Sequence, residues 1–152
     1  MSNIVRYKAS DRVNHWLVAL LFVLATVSGL ALFHPSMYFL TGVLGGGQWT
    51  RILHPFIGTI MFVSFVILYF RFWHHNILSK NDRQWLKQIG DVLNDREDKL
   101  PEVGRYNGGQ KLVFWLMTIT MLLLVVSGLG FWRPYFAHMF AMDTVRLAAV
   151  VH

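Results

Sequence analysis

Cysteine is absent from the 152 residues. That excludes disulfides, thiolate zinc sites, cysteine-ligated iron–sulfur clusters and covalent haem attachment. Charge is scarce too. Charged residues make up 14% of the chain, against about 25% in soluble domains. There is no nucleophile constellation, phosphate loop or carboxylate pair, so nothing in the chain points to a self-sufficient catalyst. What remains is apolar. Hydrophobic residues reach 55% and the mean hydropathy is +0.43. These values disfavour a water-soluble globule and favour long apolar segments joined by short polar ones. With no thiols, the 7 histidines are the main candidates for metal or cofactor ligation.

Three segments are long and apolar enough to span a bilayer, which takes about 20 residues. They cover residues 16–33, 52–70 and 112–132. A fourth apolar run starts near Val145 and reaches His152. Eight helical residues extend only about 12 Å, so this run reads as the first part of a fourth span. The expected fold is all-α: a transmembrane four-helix bundle with three complete spans and a truncated fourth. Residues 1–152 form one integral-membrane domain in this reading.

The net charge of +6 is unevenly placed. Arg6, Lys8 and Arg12 precede the first span, and eight Lys and Arg fall between residues 71 and 111. Arg51 alone lies in the 34–51 connection, and Arg133 and Arg146 follow span three. The positive-inside rule places the N-terminus and the 71–111 stretch in the cytoplasm. The basic pI is therefore orientation charge beside anionic lipid, not a nucleic-acid footprint. The first span is no signal peptide, since its apolar run is too long and no small-x-small site follows. Within the 74–111 connection, Trp85, Leu86, Ile89, Val92 and Leu93 recur at helical spacing opposite Lys87, Asp91 and Asn94. An amphipathic surface helix is expected there, ended by Pro101 and Gly104.

Residues 15–35 and 114–134 resemble each other at a constant offset of 99. The shared positions are Trp16/Trp115, Leu17/Leu116, Leu24/Leu123, Val27/Val126, Ser28/Ser127, Gly29/Gly128, Leu30/Leu129 and Pro35/Pro134. Leucine and valine matches come easily in apolar sequence. The Val-Ser-Gly-Leu block at a fixed distance from proline does not. If it is a repeat, spans one and two correspond to spans three and four. His54 and His152 then fall at similar depths, near the outer side of spans two and four.

An ionisable side chain inside a membrane is costly and is usually functional. A b-type haem needs two axial imidazoles from opposite sides, commonly on different helices. His54 and His152 could hold one haem in the outer leaflet. His15 lies at the cytoplasmic end of span one, about 27 Å away along the helix, and would need a different partner. Phe114 holds the repeat-equivalent place on span three, so a later turn of span four is its natural source. Blander readings stand beside these. His15 next to Trp16 could be an interfacial anchor, and His54 before Pro55 a helix-start polar residue. His34, His74, His75 and His138 sit in loops or at span edges. Gly29, Gly58 and Gly128 would clear room for a porphyrin or simply allow close helix packing. Arg51 and Arg146 could meet propionates or anchor at the interface.

Five segments together carry a family resemblance: Asp11-Arg12-x-x-His15-Trp16, Arg51-Ile52-Leu53-His54-Pro55-Phe56, Arg71-Phe72-x-His74-His75-Asn76, Tyr106-Asn107-x-Gly109-Gln110-Lys111 and Trp132-Arg133-Pro134-Tyr135-Phe136. In this order they resemble the gamma subunit, a di-haem cytochrome b, of bacterial membrane-bound formate dehydrogenase. The resemblance covers essentially the whole chain. It implies four spans holding two b haems, in the bacterial inner membrane. His54 and His152 would ligate the outer, periplasmic haem, and His15 one side of the inner haem. The family's other inner ligand lies later in span four than His152. The resemblance also implies that menaquinone or ubiquinone is reduced near the inner haem. Asn107 and Gly109 are the matching positions, the first as a side-chain donor and the second through its backbone N–H. Helix capping is the alternative for that turn. The implied partners are an iron–sulfur beta subunit and a molybdenum or tungsten pterin alpha subunit, in a higher oligomer of the heterotrimer. The implied function is electron transfer in anaerobic respiration. Alternatives are a cytochrome b serving a hydrogenase or thiosulfate reductase, and a non-redox membrane scaffold or small transporter.

Overall fold

The computed structural model describes residues 7–94, 96, 100–101 and 104–152. Arg6 and Lys99, both counted in the charge asymmetry, lie outside the described residues. So does the side chain of Leu93. Among the described residues the regular structure is entirely helical. Three helices are long and apolar enough to cross a membrane, as expected.

Helix α1 spans Ala9–Phe33. It begins seven residues before the apolar run, because Asp11 accepts the Lys8 backbone N–H at 3.3 Å and caps the first turn. It stops at Phe33 because His34 precedes Pro35 and is driven to an extended conformation, φ −134° and ψ 134°. A 3-10 segment follows at Pro35–Leu44. Gly45 and Gly46 then turn the chain with φ of 85° and 103°, values that side chains rarely adopt. Helix α2 spans Gly47–Phe72 and ends in a short 3-10 turn, Trp73–Asn76.

His54 and Pro55 therefore lie inside α2, two turns from its start, and not at a helix beginning. Pro55 has no N–H to give the Arg51 carbonyl. Membrane helices tolerate such a break when neighbouring groups compensate.

The connection differs from the single amphipathic helix expected. It forms α3, Lys80–Lys87, and α4, Ile89–Leu93. Between them Gln88 leaves helical geometry at φ −95° and ψ 20°. Gly90, poor in helix propensity, follows at once. Helix α5 spans Gly108–Phe131 and α6 spans Met142–Val151.

The fold divides into two compact units, Met1–Leu68 with Leu123–His152, and Tyr69–Leu122. In the first, α1 and α2 run antiparallel. The Asn14 side chain donates to the Ser64 carbonyl at 3.2 Å, and Ser28 meets His54. The end of α5 and α6 form a second antiparallel pair through Ser127 and His152. Gly130 backs onto Ala148. Phe56 and Trp132 meet edge to face at 5.2 Å, joining α2 to the chain just after α5. The two helix pairs match the two halves of the sequence repeat.

In the second unit, the Lys111 ammonium reaches Asp82 at 2.7 Å and the Ile77 carbonyl at 3.2 Å. Trp115 donates its indole N–H to the Asn76 carbonyl at 2.9 Å. Phe114, the repeat counterpart of His15, stacks on Tyr69 with ring centres 5.6 Å apart. It is a packing residue.

Candidate functional site

His54 and His152 face each other within the first unit. Their ring centres lie 6.0 Å apart and the ring planes cross at 88°. Each ring is held from behind by a serine. Ser28 Oγ is 2.8 Å from His54 Nδ1, and Ser127 Oγ is 3.1 Å from His152 Nδ1. The glycines beside these serines lie against the rings. A Cβ on Gly29 would stand 3.4 Å from His54 Cε1, and one on Gly128 would stand 3.0 Å from His152 Cε1. Gly58 faces open space. Gly29 and Gly128 thus give their space to the two imidazoles.

With each Nδ1 engaged, the remaining nitrogen for ligation is Nε2 on both rings. A metal–imidazole bond of about 2.0 Å puts the ring centres of two trans imidazoles roughly 6 Å apart. The separation of these rings fits that arrangement. Among the described residues no group of three or more histidine or acidic side chains could hold a bare metal ion. Two opposed imidazoles are the donor set that would hold a haem iron.

The other sequence candidates are placed as follows. His15 is exposed on α1, edge-on to Trp16 at 6.2 Å, and α1 separates it from the His54 end by about three and a half turns. Asn107 is the N-cap of α5. Its Oδ1 accepts the Gln110 N–H at 2.9 Å, while Gln110 Oε1 accepts the Asn107 N–H at 3.1 Å. This is a reciprocal capping box. Gly109 lies under Trp85, whose ring would stand 3.1 Å from a Cβ there. Its N–H belongs to the first turn of α5, which lacks partners within the helix. Arg146 pairs with Asp143 at 3.4 Å on an exposed surface.

The residues that sequence reasoning left without a role are Ser28 and Ser127. The signal was in view, since both belong to the Val-Ser-Gly-Leu repeat. Asp82 was missed as well. It is 1% exposed, and its partner lies 29 residues away.

An all-α membrane protein that opposes two histidines across a helix interface is built as a cytochrome b. Residues 6–152 match the family described as prokaryotic cytochrome b561, and the chain belongs to that family. Close relatives agree. The formate dehydrogenase cytochrome b556(fdo) subunit of Escherichia coli K12 is 48% identical over 149 residues, 98% of this chain and 70% of the relative. The nitrate-inducible cytochrome b556(Fdn) subunit of the same strain is 44% identical over 149 residues, 98% of this chain and 69% of the relative. The formate dehydrogenase cytochrome b556 subunit of Haemophilus influenzae is 38% identical over 151 residues, 99% of this chain and 63% of the relative.

Proposed function

We propose that this chain is the membrane cytochrome b subunit of a formate dehydrogenase complex and carries electrons through the inner membrane to quinone. The observation that carries this reading is the opposed pair His54 and His152, set in a chain of the cytochrome b561 family. Held by His54 and His152, a b haem would supply reversible one-electron chemistry. The protein's part is to hold two neutral imidazoles at a fixed spacing and to keep the site within apolar helices.

The electron donor comes from the relatives' names, which place them in formate dehydrogenases. A pterin-containing alpha subunit oxidises formate in this reading, and an iron–sulfur beta subunit passes electrons to the His54/His152 site. These 152 residues hold no cysteine to ligate a cluster, in keeping with clusters carried by a partner. Electrons then cross to a second haem near His15, whose other ligand lies further along the fourth helix than His152. Menaquinone or ubiquinone is reduced at the cytoplasmic side near Asn107 and Gly109. The N-terminus and the 71–111 stretch face the cytoplasm, where Lys and Arg concentrate. Quinone protonation from that side would build proton-motive force.

The test is a reduced-minus-oxidised absorbance spectrum of the purified, membrane-assembled protein. The b-type bands are expected, and His54→Ala or His152→Ala is expected to remove the outer-haem share. A colourless preparation overturns the haem reading. Co-purification with a hydrogenase or thiosulfate reductase subunit, and not a pterin-containing formate dehydrogenase subunit, overturns the assignment of the donor.

A further inference from the structure

The two serines behind the imidazoles are arranged alike. Ser28 Oγ donates to the Leu24 carbonyl at 2.7 Å, and Ser127 Oγ donates to the Leu123 carbonyl at 2.6 Å. A serine hydroxyl has one proton. With that proton committed to its own helix, the oxygen faces the imidazole as an acceptor, so the Nδ1 atoms must donate. A second group points the same way. The Leu124 carbonyl lies 3.0 Å from His152 Nδ1, and a carbonyl can only accept. Each ring is therefore fixed as the Nδ1–H tautomer, with its lone pair on Nε2.

The spacing repeats as well. Ser28 and His54 are 26 residues apart, and Ser127 and His152 are 25 apart. The serine's neighbour is glycine both times, and both glycines abut the Cε1 edge of the ring. A serine bonded back to its own helix is common in membrane helices. Such back-bonding alone does not bring two hydroxyls onto the ring nitrogens of two histidines on other helices.

We propose that Ser28–Gly29 and Ser127–Gly128 are a duplicated positioning device that presents Nε2 of His54 and His152 to a shared iron. This rests on the haem reading above and adds residues that the family resemblance did not assign. The serine, joined at His152 by the Leu124 carbonyl, orients the ring and selects its tautomer, and the glycine lets the ring approach the helix. Hydrogen bonding at Nδ1–H also raises the basicity of the ligating nitrogen. A more basic ligand favours the oxidised iron, so the serines hold the reduction potential down.

The experiment compares Ser28→Ala, Ser127→Ala and the two Ser→Thr variants in the membrane-assembled complex, with wild type and His54→Ala beside them. Haem retained per protein is measured by pyridine haemochrome, and the outer-haem midpoint by redox titration. The alanine variants are expected to hold haem roughly ten- to hundredfold less tightly, with the midpoint of what remains shifted upward. Threonine keeps the hydroxyl and restores both. Alanine variants with wild-type retention and midpoint overturn the proposal. So does failure of threonine to recover what alanine loses, including any loss of membrane assembly. If His54→Ala leaves the outer-haem signal of wild type intact, the underlying haem site itself is wrong.

Discussion

Lys111 Nζ donates to Asp82 Oδ2 at 2.7 Å, joining the first turn of α5 to α3. Both side chains are nearly shut off from solvent, at 9% and 1% exposure. Ser79 caps α3 with the same carboxylate through its backbone N–H and its hydroxyl, each at 2.7 Å. Asp82 Oδ1 is buried with no partner among the described residues. A charge held like this depends on its one cation. Removing Lys111 should cost about 3–5 kcal/mol, because an uncompensated buried carboxylate remains. Lys111→Met is thus expected to expose the 77–111 segment to limited proteolysis. The double variant Lys111→Met with Asp82→Leu should recover much of that loss. Equal protease sensitivity of single and double variants would contradict it.

The same carboxylate sets an acid limit. Burial pushes the Asp82 carboxyl up, but hydrogen bonds from Lys111 and Ser79 and the Lys111 charge outweigh burial and hold it below the ordinary carboxylate value. A group with its folded pKa depressed stabilises the fold above its unfolded pKa, near pH 4. That contribution fades as pH falls from there through the lower folded value. Trp85 is buried on the same helix, so its fluorescence should stay constant above about pH 5 and change on acidification below pH 4. In Asp82→Asn the acid transition attributable to this pair should be absent.

Much of this was legible in the chain. The three spans follow from apolar run length, since a bilayer fixes how many residues are needed. The closeness of His54 to His152 was legible in the repeat, because nearly equal distances from Pro35 and Pro134 imply similar depths. The start of α1 was not legible, because its first turns are polar and hydropathy cannot tell a helix that projects beyond the membrane from a loop. The break at Gln88 turns on one residue's backbone geometry, which periodicity does not register. The partnership of Asp82 with Lys111 is long-range and needed the fold.

The two glycines should differ in tolerance. A Cβ on Gly29 meets His54 Cε1 at 3.4 Å, an ordinary contact. One on Gly128 meets His152 Cε1 at 3.0 Å and Nδ1 at 3.3 Å, so the ring must move. Gly128→Ala is expected to lower haem retention well below that of Gly29→Ala, read as haem per protein at equal membrane abundance. Equal retention would mean that α6 shifts freely to accommodate the methyl.

Asn107 separates capping from quinone chemistry. Its Oδ1 serves the helix, whereas a quinone oxygen would need its Nδ2 donor. Asn107→Asp keeps the cap, since aspartate serves as well there, and removes the donor. Asn107→Ala removes both and should cost about 1 kcal/mol of local stability. If quinone binds here, Asn107→Asp should slow quinone reduction with the haem content and thermal stability of wild type. Unchanged quinone kinetics in that variant would assign the residue to capping alone.

His15 offers the last discrimination, because it stands apart from the His54/His152 pair. The 13 residues from His15 to Ser28 lie on one helix, α1, and span roughly 20 Å. A single porphyrin cannot use both ends of that distance. If His15 holds the second haem, His15→Ala should halve the haem per complex and leave the outer midpoint in place. His54→Ala should do the converse. The two deletions should add, leaving the double variant colourless. An interfacial anchor predicts a different outcome: His15→Ala would retain both haems, and replacing it with another interfacial side chain such as tyrosine would be silent. Haem counting across the three variants distinguishes the two, because an anchor has no reason to remove one iron and spare the other.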